Sequence, residues 1–232
     1  RPWDGRKTRC CSLADSRARL GIDRIDVVWV HDLDQATHGA DFDHHFRTLL
    51  DSGLPALAEQ KAAGVIAGYG IGVNGVDICL TTLHHADLDA ILLAGRYTLA
   101  DQSALPELLP ECMRRNVAVV LGGPFNSGIL ATGAHPAGGA PAYFDYAPAP
   151  PAVVARVEAL EAVCRVHGVS LAAAALQFPA AHPAVAVVLA GARSRAELTG
   201  NLALARAPIP PGFWVELRTR GLVDAGAPLP EH

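Results

Sequence analysis

Short apolar segments alternate along the chain with longer segments of helical spacing, and this alternation limits the possible folds more than any other feature. The apolar segments are nearly continuous, which is typical of parallel strands buried on both faces. Five such strands are predicted, near residues 25–30, 65–73, 90–94, 117–122 and 185–190. Strands that alternate with helices indicate an α/β protein with a parallel sheet covered by helices.

The segments between the strands predict helices and one long loop. The predicted helices are residues 12–20, 41–63, 76–85, 105–115, 152–167, 170–178, 195–205 and 211–221. Residues 129–151 are rich in Ala, Gly and Pro, and a loop of that length in a compact domain is usually a lid or a disordered segment. Five strands are too few for a standard eight-stranded barrel and also fit an open doubly wound sheet, so periodicity leaves both folds open.

Length and charge exclude several classes of function. With 232 residues, half of them apolar, the chain can bury one sizeable core, and a single domain over residues 1–232 is expected. The net charge of −4 without a basic cluster argues against nucleic-acid binding. No apolar run approaches the roughly 18–20 residues that cross a bilayer. Five cysteines without a CxxC pair favour the reducing cytoplasm.

The beginning of the chain is unusual. It starts with Arg1, and its one methionine is Met113, so we do not expect Arg1 to be the natural start of the protein. Residues 1–11 also fit the patterns described below less well than the residues that follow them.

A glycine motif at residues 70–75 suggests one possible nucleotide site. Gly-Ile-Gly-Val-Asn-Gly satisfies G-x-G-x-x-G between a predicted strand and a predicted helix, and Asp89 lies at a suitable distance for a ribose contact. However, the glycines begin inside the strand, at Gly68, and the motif falls in the second strand–helix unit. Glycines that fit a crowded barrel interior are an equally good interpretation, and both remain open at this point.

Histidines and acids are concentrated in residues 31–45, where His31, Asp32, Asp34 and five further such residues occur. That density could bind a divalent metal, but only His31 and Asp32 end a strand. The alternative is solvated helix residues with Asp34 or Asp41 as a helix cap. We therefore predict no metal site. His31 is the candidate catalytic residue, because catalytic side chains collect at the carboxyl ends of barrel strands.

Four segments together resemble the aldo-keto reductase family. Residues 12–32 are similar to its S-L-x-x-L-x-x-D-Y-I-D-L-x-x-x-H pattern, and residues 67–74 to the strand that ends in G-V-S-N. Residues 122–130 resemble Y-S-P-L-x-x-G-x-L, and residues 188–201 resemble I-P-G-x-R-x-x-x-Q-x-x-x-N. Residues 92–99 and the C-terminal segment are similar to the branch of L-fucose (D-threo-aldose) 1-dehydrogenases and pyridoxal 4-dehydrogenase.

The resemblance implies a (β/α)8 TIM barrel, of which this chain would hold about strands 4–8. It implies an NAD(P)-dependent hydride transfer between nicotinamide and an aldose C1, or a small aldehyde or alcohol. Of the family's catalytic Asp, Tyr, Lys and His, only His31 has a match; the other three would precede Arg1. The chain alone is therefore expected to be inactive. Open barrel edges would make it marginally stable or lead it to pair with a second copy.

The resemblance also implies a cofactor site, in which NAD(P) lies extended without a Rossmann turn. The matching positions are Asn74, Gly123, Pro124, Phe125, Ser127, Gly128, Gly191, Arg193, Glu197 and Asn201. Asn74 matches the residue that bonds the nicotinamide carboxamide, although Val73 replaces its usual Ser neighbour. Residues 123–128 match the cradle of the pyrophosphate. Gly122 replaces a Tyr that stacks on the nicotinamide in many members, a face that Phe125 or another aromatic side chain could cover.

The adenosine end implies a slight preference for NAD over NADP. Arg193 matches a cation that reaches the adenosine phosphate, and its planar fork suits phosphate. Asn201 matches the residue that faces the adenine. Glu197 stands where the family often has Gln or Arg, and a carboxylate there would repel a 2′-phosphate. The alternatives are a non-catalytic barrel that binds nucleotide, and a Rossmann-type dehydrogenase using residues 70–75.

Overall fold

The structure is a computed structural model that describes residues 7–230, with the side chains of residues 13–35 and 37–230. The chain divides into two compact units, Arg1–Leu92 and Leu93–His232. The division falls inside one strand, and the expectation of a single domain stays a prediction. Most of the atypical segment 1–11 lies outside the described residues.

The first unit is built on a parallel strand pair. Its elements are α1 (Lys7–Leu20), β1 (Val27–His31), α2 (Gln35–His38), α3 (Phe42–Thr48), α4 (Leu54–Ala62), β2 (Gly68–Val73), α5 (Val76–His85) and the start of β3 (Ala90–Ala94). Strands β1 and β2 pair in parallel from Val27 opposite Gly68 to His31 opposite Gly72. The carboxyl ends of both strands therefore meet at one edge.

The predicted helix at residues 41–63 is divided into α3 and α4 by a π-helical turn at Leu49–Gly53. Pro55 lies in the first turn of α4. Proline has no amide hydrogen, so the α-helical ladder of hydrogen bonds is interrupted there, and the Leu54 amide donates to the Leu49 carbonyl five residues back. The backbone stays right-handed helical on both sides of this turn, so the predicted helix is confirmed, with a π-helical turn that the sequence did not predict.

The second unit contains the remaining elements. They are the end of β3, α6 (Leu108–Arg115), β4 (Ala118–Gly122), α7 (Ile129–Thr132), β5 (Tyr143–Phe144), β6 (Ala147–Pro148), α8 (Pro151–His167), α9 (Leu171–Ala180), β7 (Val185–Leu189), α10 (Arg195–Leu204) and α11 (Pro211–Thr219). Strands β4 and β7 pair in parallel, and β5 and β6 form a short antiparallel hairpin. The segment predicted as a structureless loop at residues 129–151 thus holds α7 and this hairpin.

All five predicted strands are confirmed, in a sheet whose order is β1, β2, β3, β4 and β7. In the second unit the core is aromatic and aliphatic: Tyr97 and Phe178 are fully buried with ring centroids 5.1 Å apart. Phe213 and Trp214 of α11 contact each other edge to face at 4.9 Å. Burying such a side chain contributes roughly 1.5–3 kcal/mol, so α11 is held onto the unit mainly by these rings.

Within residues 7–230, no single helix has the length and apolar composition that crossing a membrane requires. The consecutive helices α8 and α9 meet those criteria only as a pair, and the chain bends by 101° between them. Val157 and Leu160 of α8 and Phe178 of α9 are buried inside the unit.

Strand β2 explains the glycine motif. All six of its residues are buried. A Cβ added to Gly70 would stand 1.9 Å from the carbonyl oxygen of Ala90, and one added to Gly72 would stand 2.7 Å from Nε2 of His31. These glycines allow close approach inside the strand, and only Gly75 lies beyond it, at the N-terminus of α5. The motif is therefore not a pyrophosphate turn, in which the glycines follow the strand.

We predict that Gly70→Ala destabilises the protein severely. The added methyl group would overlap the Ala90 carbonyl, and overpacking of this kind costs roughly 3 kcal/mol or more of the free energy of unfolding. Gly200→Ala is the matched control, because a Cβ there meets no atom within 4 Å, and Gly to Ala inside a helix stabilises by roughly 0.5–1 kcal/mol. Urea unfolding measures both, and equal midpoints for the two variants would contradict this account of β2.

Candidate functional site

A cleft of about 740 Å³ lies in the second unit. One wall is the turn between β4 and α7, a second is the segment from α7 to β5, and the third is residues 191–201. It brings together every cofactor position that the sequence predicted in this unit. These are Gly123, Pro124, Phe125, Ser127, Gly128, Gly191, Arg193, Glu197 and Asn201.

The turn after β4 has an unusual backbone. Four of its residues have left-handed φ angles: Gly123 at 59°, Asn126 at 44°, Ser127 at 59° and Gly128 at 107°. The amide of Asn126 donates to the Gly123 carbonyl over 2.9 Å, and that of Gly128 donates to the Phe125 carbonyl over 3.0 Å. Successive tight turns curve the backbone into a concave shape, and concave runs of amide groups bind anions.

The opposite wall is held together by polar contacts. The Glu197 carboxylate accepts the backbone amide of Arg193 at 2.7 Å and also contacts the Arg193 guanidinium at 3.3 Å. The bond from the Arg193 amide lowers the pKa of Glu197, which is therefore ionised at neutral pH. Ser194 caps α10 by accepting the amide of Glu197, and Asn201 donates to the carbonyl of Gly191 over 3.2 Å. The wall thus presents a cation beside an anion.

In the first unit, two predicted residues lie at the carboxyl edge of the strand pair. His31 is the last residue of β1, and Asn74 follows the end of β2. The His31 side chain is 59% exposed, with Nδ1 3.6 Å from the Asp32 carboxylate. Its ring lies over Gly72, where any larger residue would displace it. The close approach at Gly72 therefore makes space for the imidazole at this edge.

A Tyr, a Lys and an Asp do meet in the first unit, but at the other end of the strands. Asp89, just before β3, pairs with Lys61 and accepts the backbone amide of Tyr69 at 3.0 Å. Tyr69 is the second residue of β2, and burial, with the charge of Asp89, raises the pKa of its hydroxyl. A catalytic Tyr paired with Lys needs the opposite shift. Asp89 is thus part of a structural contact and not the ribose ligand that the glycine motif suggested.

The histidine and acid segment does not form a metal centre in the part of the chain that is described. Asp34 caps α2 by accepting the amide of Thr37 at 2.7 Å, whereas Asp41 makes no capping bond with its side chain. The rings of His38 and His45 contact each other at a tilt, with a centroid distance of 4.6 Å. The described side chains, those of residues 13–35 and 37–230, include no group of three His, Cys, Asp or Glu that could hold a metal ion.

Sequence reasoning missed part of the cleft. Thr132, Pro136, Ala140, Pro141 and Tyr143 line it, and all fall in the segment predicted as a loop. Asn126 was also missed, because the family pattern has a variable residue there. The signal that could have found Tyr143 is a pair of aromatic residues, Tyr143 and Phe144, in an otherwise small-residue segment.

The family can now be stated. The profile described as Aldo/keto reductase family matches residues 6–219, so this chain belongs to the aldo/keto reductase family. The parallel α/β sheet agrees with the (β/α)8 barrel class expected from the sequence, and five of its strands are present in the described residues.

Three similar proteins illustrate the relationship. Pyridoxal 4-dehydrogenase of Microbacterium luteolum is 45% identical over 92% of this chain and 61% of its own length. D-threo-aldose 1-dehydrogenase of a Pseudomonas species is 37% identical over 96% of this chain and 65% of its own length. The solved structure of aldo-keto reductase AKR11C1 from Bacillus halodurans, in its holo form, has a TM-score of 0.69 at 25% identity, over 96% of this chain and 69% of that one.

Both curated relatives belong to the branch that the sequence motifs indicated, which confirms that resemblance. The chain spans less than two thirds of the length of either relative.

Proposed function

We propose that this chain is the nucleotide-binding part of an NAD(P)-dependent oxidoreductase that acts on an aldose at C1, or on a small aldehyde or alcohol. The observation that supports this most strongly is the cleft of the second unit, where nine positions predicted from the family resemblance share one surface. The names of the two curated relatives, which act on pyridoxal and on D-threo-aldoses, favour the same chemistry.

The residues of the cleft fit a dinucleotide. The concave turn at residues 123–128 would hold the pyrophosphate through those of its backbone amides that do not donate within the turn to Gly123 and Phe125. Arg193, whose side chain is 93% exposed, would reach the adenosine phosphate, and Asn201 would face the adenine. Phe125 and Tyr143 supply aromatic surface along the cleft. When bound, nicotinamide supplies or accepts the hydride.

In the first unit, the proposed roles rest on strand position. His31 ends β1 with an exposed imidazole, which can donate a hydrogen bond to a substrate oxygen. Asn74 follows β2 and is half-buried, with a carboxamide that can pair with the carboxamide of nicotinamide. Among the described residues of the first unit, Tyr69 is the one tyrosine, and it lies at the opposite end of β2 from His31, so this unit offers no Tyr as proton donor at this edge.

That last observation favours a second candidate function, a barrel that binds nucleotide without turnover. The two candidates differ in one measurement. Both predict that NAD binds, and only the first predicts that NADH accumulates with an aldose or pyridoxal when the chain is part of a protein that supplies the catalytic Asp, Tyr and Lys.

The proposal includes NAD as the preferred cofactor. Glu197 is ionised and contacts Arg193, so the cation is partly neutralised where a 2′-phosphate would lie. A carboxylate at that place accepts bonds from free ribose hydroxyls and repels a second phosphate.

Self-association and a cytoplasmic location complete the proposal. Val187 and Leu189 of β7 and Leu198 and Leu202 of α10 are each about half exposed. An apolar strand at the end of a sheet favours pairing with a second copy. Cys79, Cys112 and Cys164 are buried free thiols, and free thiols suit a reducing compartment.

We expect Arg193→Met to weaken NAD binding about tenfold, since one charge-assisted contact to phosphate is lost. Calorimetric titration with NAD measures this. Arg195→Met is the matched control, because Arg195 is only two residues further along the chain but is not among the residues that line the cleft. No binding by the unaltered chain, or equal losses in both variants, would contradict the proposed site.

Glu197→Gln should shift the preference toward NADP by about tenfold, because it removes a negative charge next to the position proposed for the 2′-phosphate. The ratio of the dissociation constants for NADP and NAD is the quantity to compare. Glu107→Gln, an exposed acid before α6, should leave that ratio unchanged. An unchanged ratio in the Glu197 variant would show that Glu197 does not determine the preference between NAD and NADP.

A further inference from the structure

Asn126 occupies an unusual position in the cofactor turn. Only 3% of its surface is exposed, although its neighbour Ser127 is exposed. Its φ angle is 44°, in the left-handed region that costs a side-chain-bearing residue about 1 kcal/mol or more. A strained residue that is buried needs compensating contacts, and Asn126 makes them with both ends of its carboxamide.

The carboxamide of Asn126 joins the turn to the segment that follows β3. Its Nδ2 donates to the Gly95 carbonyl over 2.9 Å, and its Oδ1 accepts the hydroxyl of Thr98. Thr98 is fully buried, and its hydroxyl oxygen also accepts the amide of Asp101 at 3.1 Å. Gly95 has a φ of 70°, and a Cβ there would stand 3.0 Å from Nδ2 of Asn126, so the close contact between Asn126 and this segment requires glycine at position 95.

A second contact holds the turn from the other side. The hydroxyl of Ser127 accepts the amide of Tyr146 at 2.9 Å, in the turn between β5 and β6. Asp145 of that turn pairs with Arg96 at 2.7 Å, one residue beyond Gly95. The cofactor turn, the segment after β3 and the hairpin are therefore linked in a closed polar network, in which Asn126 holds the central place.

We propose that Asn126 is a positioning residue for nucleotide pyrophosphate. Its side chain bonds Gly95 and Thr98 and is not directed to a ligand; it holds in place the left-handed turn that lines the cleft. Without this tether the turn populates relaxed conformations. The observed affinity falls in proportion to the fraction of molecules in the competent conformation. This inference rests on the proposed function, and in particular on a nucleotide in the cleft.

The test compares ADP with adenosine, which differ in the pyrophosphate. The variants are Asn126→Gly, which permits the left-handed backbone but removes the tether, and Thr98→Val, which removes only the hydroxyl. The control is Thr82→Val: Thr82 is also fully buried, but it bonds the Ile78 carbonyl in α5 of the first unit. Binding is followed by chemical-shift titration, and thermal unfolding is recorded for every variant.

We expect both cleft variants to bind ADP about tenfold more weakly and adenosine within about twofold of the unaltered chain, because only the pyrophosphate contacts the turn. Thr82→Val should lower the unfolding temperature with no change in either affinity. Unchanged ADP affinity in both cleft variants, or equal losses for ADP and adenosine, would overturn the positioning role. If the unaltered chain binds neither ADP nor NAD, the proposed function itself fails.

Discussion

The candidate site depends on one pairing, that of β4 with β7. The two strands run in parallel with Gly122 opposite Leu189, so they end side by side. Whatever follows them must leave the sheet from adjacent points at the same edge. Residues 123–128 follow β4, and residues 190–201 follow β7, which makes them facing walls of one cleft. Parallel strand pairs in α/β proteins place ligand sites at this edge for the same geometric reason.

The strand pair of the first unit obeys a different constraint. There neighbouring atoms approach β2 so closely at positions 70 and 72 that a Cβ would overlap them, and both positions are therefore occupied by glycine. The same glycines produce a G-x-G-x-x-G pattern that mimics a nucleotide-binding turn. What separates the two interpretations is whether the glycines lie within the strand or after it, which depends on strand boundaries that a sequence locates only to within a few residues.

The apolar strands and most helices could be predicted, because buried parallel strands leave continuous β-branched runs such as residues 185–189 and helix ends leave glycines such as Gly21. The nine cleft positions of the second unit followed from motif resemblance, and the structure brings them together. Tyr143 and Asn126 were not predicted. Both lie close to left-handed turns, which hold Asn126, Asp145 and Tyr146, and the sequence does not show which residues adopt such turns because tertiary contacts decide it.

Residue types alone, without their positions in the fold, would have led to a wrong assignment of the proton-transfer residues. Lys61, Tyr69 and Asp89 come together with the side-chain types that the family uses for proton transfer, yet they meet at the amino ends of the strands. His31 ends β1 at the carboxyl edge. Because β1 and β2 are parallel, these two groups lie at opposite ends of one pair. These three residues stabilise the start of β2. Burial of Tyr69 raises the pKa of its hydroxyl, which is the opposite of what proton transfer by a catalytic Tyr needs.

Amide hydrogen exchange of the chain with and without saturating NAD tests the central claim most directly, because it reports protection segment by segment. The account predicts that NAD slows exchange in residues 123–130 and 191–201 and leaves the buried strand β2 as it was. Protection centred on residues 70–76 without any change in the cleft would contradict the account and restore the glycine motif as the nucleotide site.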